Sequence, residues 1–282
     1  MKFGMNVLLW GGEIGEDWLS TFEQLKQMGY DGVEIPLFNT NLNYSQWAKY
    51  FDDLGLLRTG VTVRNEDDNP IGSDGEIRAR GVENNKRTLD CCAEIGATHL
   101  AGPFHSAIGV FSGRGPTEDE WKWGVESMRQ VSEHAAKVGV TLAVEPLNRF
   151  ETYLLNSVAD TARFVREVDH PHCLVLYDSF HANIEEKCVR DAVQSCTDVL
   201  GEVHISENDR STPGMGGVNW DATFDALHEV GYDGWMVVEA FGTSLPELAA
   251  ATKIWRKMYE DELQLARDGL EFMRQQVAKR WS

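Results

Sequence analysis

The sequence contains no run approaching the roughly 18 consecutive apolar residues that a membrane-spanning helix requires. Basic residues are scarce as well: 26 Lys and Arg stand against 45 Asp and Glu, a formal net charge of −19. Phosphate backbones and anionic lipid surfaces are bound through clustered Lys and Arg, so this deficit argues against nucleic acid and against a membrane surface. Cysteine is sparse, five residues (Cys91, Cys92, Cys173, Cys188 and Cys196) without a C-x-x-C pair. Adjacent Cys91 and Cys92 cannot bridge each other within a helix. An odd set of this kind reads as reduced packing residues in a cytoplasmic protein. The opening Met1-Lys2-Phe3-Gly4 has neither the apolar stretch nor the small-residue cleavage site of a signal peptide, which fits the same compartment. No low-complexity segment or linker marks off a second domain.

What is present reads as a repeated unit. The 282 residues, 42% of them hydrophobic, suit one large barrel or two small domains. Apolar runs of strand length recur, each followed by a helix-length stretch with apolar residues at three- and four-residue spacing. The pattern predicts strands at 3–9, 32–35, 56–63, 98–102, 140–144, 173–177, 199–205 and 235–238. Helices are expected at 18–28, 45–54, 81–95, 121–137, 158–168, 189–195 and 220–229, with a polar helical remainder to Ser282. Eight βα units in this length favour an α/β chain closed into a (β/α)8 TIM barrel, a single domain over 1–282 with a C-terminal helical extension. The alternative is an open doubly wound sheet, and no G-x-G-x-x-G follows the first strand to support it. Gly29-Tyr30-Asp31-Gly32 and Gly231-Tyr232-Asp233-Gly234 are nearly one phrase, each between a helix and a strand.

In such a barrel the strands end at the catalytic face, so an ionisable residue just after an apolar run points at the active site. Four consecutive strands each supply one: Glu145 after Leu142-Ala143-Val144, Asp178 after Leu176-Tyr177, His204 after Val203, and Glu239 after Val237-Val238. Their separations of 33, 26 and 35 residues are each about one βα unit. Three carboxylates in a buried mouth repel one another unless a cation neutralises them. With the imidazole they make an O3N set suited to Mn²⁺, Mg²⁺, Co²⁺ or Zn²⁺, the oxygen majority favouring Mn²⁺ or Mg²⁺. Any one of these carboxylates alone reads equally well as a salt bridge to a loop Arg or Lys; their convergence favours one divalent metal ion.

Other residues belong to the same rim. His181 follows Asp178 by three and shares its pocket if a short helical turn begins there; otherwise it is a solvent-facing loop histidine. Glu151 lies six past Glu145, with a loop ion pair to Arg149 as its alternative. Arg210 is a clamp for a hydroxyl or carbonyl, or a partner of Glu207 or Asp209. His105, Trp10 and Phe111 are weaker candidates for the pocket wall.

At these residues the sequence resembles the xylose-isomerase-like barrel superfamily, and within it the ketose 3-epimerase group (D-tagatose and D-psicose 3-epimerases). The matching phrases are Glu145-Pro146-Leu147-Asn148-Arg149-Phe150-Glu151, Asp178 through Glu186, His204 through Arg210 to Pro213-Gly214, and Val238-Glu239-Ala240-Phe241. The resemblance implies that Glu145, Asp178, His204 and Glu239 are metal ligands and that Glu145 and Glu239 are also the acid/base pair. It implies that Glu151, His181 and Arg210 hold the sugar, and that barrels of this kind form homo-oligomers. Two stretches depart from it: Asn6 stands where the epimerases carry an aromatic, and Phe104 to Gly113 is not obviously theirs.

The activity implied is epimerisation of a ketose at C3 through a metal-stabilised enediolate, one glutamate removing the proton and the other returning one from the opposite face. The same metal site also serves an alternative, elimination or dehydration of a keto-sugar, as in C-glycoside deglycosidases or keto-inositol dehydratases. A zinc endonuclease for abasic DNA would need more rim histidines and a basic face. A non-catalytic sugar-binding barrel is the reading from another class.

Overall fold

Each apolar run becomes a short strand because both of its faces are covered, one by helices and the other by the barrel interior. The computed structural model describes residues 1–243 and 246–281. Its strands are β1 (Lys2–Asn6), β2 (Gly32–Pro36), β3 (Leu57–Val61), β4 (His99–Gly102), β5 (Thr141–Val144), β6 (Cys173–Asp178), β7 (Leu200–Ile205) and β8 (Trp235–Val238). All neighbours pair in parallel, and β8 closes on β1 through Gly4 opposite Val237. The expected TIM barrel is what forms.

Helices α1 (Leu19–Met28), α2 (Tyr44–Leu54), α3 (Gly75–Ile95), α4 (Glu118–Val138) and α5 (Val158–Val168) cover the first five strands. They are followed by α6 (Ser179–Glu185), α7 (Val189–Ser195) and α8 (Trp220–Glu229). Two helices replace the continuous helical tail expected from the sequence, α9 (Pro246–Thr252) and α10 (Glu262–Arg280). The buried face of α10, with Leu265, Ala266, Leu270 and Met273, packs against α1 and α8. Tyr30 fixes it there by donating its hydroxyl to the Ala266 carbonyl at 2.6 Å.

Strand alternation sets what faces the barrel axis. Ala101, Ala143 and Leu176 meet there as a small apolar cluster on β4, β5 and β6. Trp235 fills the far end, and Gly32 is the residue that admits it: a Cβ at Gly32 would meet the Trp235 ring at 2.7 Å and the Leu57 carbonyl at 2.5 Å. Two residues beyond Ala143, Leu176 and the buried Glu202 of β7 come Glu145, Asp178 and His204. The twice-used Gly-Tyr-Asp-Gly phrase forms the turns before β2 and β8, with Gly29 at φ 97° and Gly231 at φ 69°. No helix among the described residues is long and apolar enough to cross a membrane.

Candidate metal centre and active site

The four strand-end residues meet. Glu145, Asp178, His204 and Glu239 each offer a ligand atom, and these atoms all lie within 4.8 Å of one another. All four are buried, His204 completely. Asp178 shows how the local fold aims a ligand. It ends β6 and caps α6, so Oδ1 accepts the Phe180 and His181 backbone N–H groups at 2.6 and 3.0 Å. One carboxylate oxygen is thereby spent on the helix N-terminus, and Oδ2 is left facing the cluster.

Charge in the cluster is unevenly balanced. Arg210 donates through Nη1 to Glu239 Oε2 and, at 3.3 Å, to Asp178 Oδ2. Its guanidinium lies 3.8 Å from the Phe180 ring centroid and 5.0 Å from that of Phe241, a stacking that holds the planar fork in place. Burial alone would raise the Glu239 carboxyl, yet Arg210 and His204 outweigh it and hold the group down to about 2. Among the described residues Glu145 has one ion-pair contact, with the ring of His181, Nε2 at 3.6 Å. Burial, reinforced by the Glu239 charge, pushes its carboxyl well above the usual range. Three buried carboxylates, one of them held up in this way, and an imidazole whose two nitrogens have no hydrogen-bond partner make a donor set that fits a divalent cation.

The rim residues fall into place around this centre. His181 is buried on α6, as the short helical turn required. Its Nδ1 accepts the Asn148 backbone N–H at 2.9 Å, and burial pushes its pKa down to about 3. The ring is therefore neutral, and its Nε2 faces Arg210 Nη2 at 2.9 Å. Glu151 accepts from Asn148 Nδ2 at 2.7 Å. The alternative partner proposed for it is engaged elsewhere, since Arg149 pairs with Glu185 at 2.9 Å. Glu207, likewise, is no partner of Arg210 through its side chain. It accepts from Gly214 and Val218 N–H and from Trp220 Nε1, at 2.8 to 2.9 Å, and ties down its own loop.

A cavity of about 350 Å³ opens above the cluster. Glu145, Glu151, His181, Arg210 and Glu239 line one end, and Leu8, Phe38, Val61, Leu147, Phe241 and Leu248 line the rest. Such a pocket presents polar groups on one side of a ligand and apolar wall on the other. Trp10, His105 and Phe111, expected at its wall, are not among the lining residues, and neither is Asn6. Asn6 and His105 are fully buried, and Phe111 lies outside against Tyr153. The sequence reading also passed over Asn148, which links Glu151 to His181, and Glu34 on β2, buried beneath His204. Glu34 sits inside an apolar run rather than at its end, so the strand-end criterion does not select it.

A closed parallel barrel with carboxylates and an imidazole converging at its strand C-termini has the architecture of a barrel enzyme, with a cluster that could hold a metal ion. The chain is a member of the xylose isomerase-like TIM barrel family, whose model matches residues 22–276. It is 32% identical over 276 residues to a probable ketose 3-epimerase of Synechocystis sp., covering 98% of this chain and 96% of that one. It is 31% identical over 272 residues to a 3-dehydro-D-guloside 4-epimerase of Escherichia coli, covering 92% and 95%. Among solved structures an L-ribulose 3-epimerase superposes with a TM-score of 0.93 at 29% identity, covering 99% and 95% of the two chains.

Proposed function

We propose that this chain is an isomerase that inverts a ketose at C3 with the help of one divalent ion, Glu145 and Glu239 serving as the acid/base pair. The observation that carries the reading is the meeting of Glu145, Asp178, His204 and Glu239 within 4.8 Å beside a cavity lined by Arg210 and His181. These four would hold the ion, Mn²⁺ by preference, with Mg²⁺, Co²⁺ or Zn²⁺ as alternatives. When bound it would supply Lewis acidity, polarising the sugar carbonyl and easing loss of the proton beside it.

The protein groups divide the remaining work. Glu239, held ionised by Arg210 and His204, is in the charged form that a base requires. Glu145, which holds its proton more tightly, is suited to return one, and in the reverse direction the two exchange roles. They stand on β5 and β8, staves separated by two others, so they can reach a ligand from different sides. His181 and Arg210, side by side at the cavity, would bind the sugar's oxygens, and Glu151 would accept from a hydroxyl. The apolar outer wall would exclude water while the proton moves. The protein would work as one barrel domain, in the cytoplasm, as a homo-oligomer.

A second reading keeps the site and changes the outcome to elimination or dehydration of a keto-sugar. It is favoured by the apolar wall of the cavity, which is able to take an aglycone. Incubating the Mn²⁺-loaded protein with ketoses in D₂O separates the readings by NMR. Deuterium at C3 with appearance of the C3 epimer supports epimerisation. Loss of water or of an aglycone supports elimination, and absence of any exchange supports a non-catalytic sugar-binding barrel.

A further inference from the structure

Asn6 is an unexpected residue to find completely buried at the end of β1, and its bonds define its orientation. Its Oδ1 accepts the Leu8 backbone N–H at 2.8 Å. The amide nitrogen is thereby turned inward, where Nδ2 donates to Glu34 Oε1 at 2.8 Å and to Glu239 Oε1 at 3.4 Å. Thr59 Oγ1 donates to the other oxygen of Glu34 at 3.3 Å. Asn6 on β1 and Thr59 on β3 therefore hold the Glu34 carboxylate between them, with Glu202 of β7 close beside it. The fixed oxygen, Oε1, lies 3.1 Å from His204 Nε2, whereas His204 Nδ1 lies 3.4 Å from Glu239 Oε1 and 3.7 Å from Asp178 Oδ2. The two ring nitrogens thus face opposite ways, one to Glu34 and one into the cluster. The approach to Glu34 is oblique, because neither ring nitrogen completes a hydrogen bond; proximity and charge set the preference here.

Burying Asn6, Glu34 and His204 completely is costly where alanine and leucine fill the corresponding interior of β4 to β6. A metal-binding imidazole needs its second nitrogen protonated and facing an acceptor, so that the first offers its lone pair. We infer that Asn6 and Glu34 are a positioning pair for the candidate metal centre, turning His204 so that Nδ1 faces the ion and steadying Glu239 Oε1. The inference rests on the metal reading given above and adds two residues from the barrel interior to it.

Mn²⁺ affinity, read from the electron paramagnetic resonance of the free ion, tests it. The variants are Asn6→Ser, Glu34→Leu and Glu34→Gln in the full chain. Serine still caps Leu8 but is too short to reach Glu34, so Asn6→Ser preserves the fold. Asn6→Ser and Glu34→Leu should each weaken Mn²⁺ binding by about 10- to 100-fold. Glu34→Gln, which keeps an oxygen beside Nε2 but removes the charge, should lose less affinity than Glu34→Leu and more than none. In ¹⁵N-histidine spectra of the Mg²⁺-loaded parent, His204 should be a single Nε2–H tautomer, and in Asn6→Ser a mixture. Undiminished Mn²⁺ affinity in folded Asn6→Ser, with the tautomer unchanged, overturns the inference alone. A parent chain that takes up no Mn²⁺ brings down the metal reading as well.

Discussion

His181 Nε2 and Arg210 Nη2 face each other at 2.9 Å, the guanidinium N–H directed at the ring nitrogen. Asn148 N–H occupies the other ring nitrogen, Nδ1, and the Arg210 fork is held between Phe180 and Phe241. A guanidinium fixed in this way at the edge of the cavity presents a preorganised positive charge to an electron-rich oxygen of a ligand. Arg210→Lys keeps the charge and loses the planar fork, so kcat should fall by about 10²- to 10³-fold. Steady-state kinetics on the preferred sugar check this, and a lysine variant of parental kcat would remove Arg210 from the proposed chemistry.

Glu145→Gln and Glu239→Gln keep the shape of each side chain and remove its proton chemistry. Each should lower kcat by at least about 10²- to 10⁴-fold, the usual contribution of a general acid or base. Circular dichroism should show both variants folded. If either retains full turnover, that residue is not part of the acid/base pair.

Metal binding should stabilise the protein more as pH rises. Glu145, with its folded pKa raised, contributes stability that is fully present below its ordinary 4.5 and is lost as pH rises through the higher folded value. Glu239 has the opposite sign: its contribution is present above 4.5 and is lost as pH falls towards about 2. A divalent ion replaces the proton on Glu145, so the gain in Tm on adding Mg²⁺ should grow from about pH 5 to pH 8. Thermal melts with and without Mg²⁺ across that range measure it. A gain independent of pH would contradict the assignment of Glu145 to the metal.

The site residues were legible because their signal is positional. Each of Glu145, Asp178, His204 and Glu239 ends an apolar run, and the βα spacing brings run-ends to one rim. Element ends were less legible. The first strand was expected to run to Leu9, yet it stops at Asn6, whose side chain caps Leu8 and opens a 3-10 turn over Val7–Leu9. Helix α3 begins six residues before the expected Gly81, because Asp74 caps Glu76 and starts it in what reads as polar loop. Contacts between distant strands, such as Asn6 with Glu34 and Glu34 with His204, leave no periodic trace, so the interior polar pair emerges only when the barrel closes.

The interior packing has its own test. Gly32→Ala would press a methyl group against the Leu57 carbonyl and the Trp235 ring. The expected loss is about 1–3 kcal/mol of stability, typical of overpacking. Urea unfolding measures it, and parental stability would mean that Trp235 packs elsewhere.

The most direct test of the account is anomalous diffraction from a crystal soaked in Mn²⁺ and measured at the manganese edge. One peak per chain is predicted, bonded by Glu145, Asp178, Glu239 and His204 Nδ1. A peak elsewhere, or none at these four side chains, would contradict it.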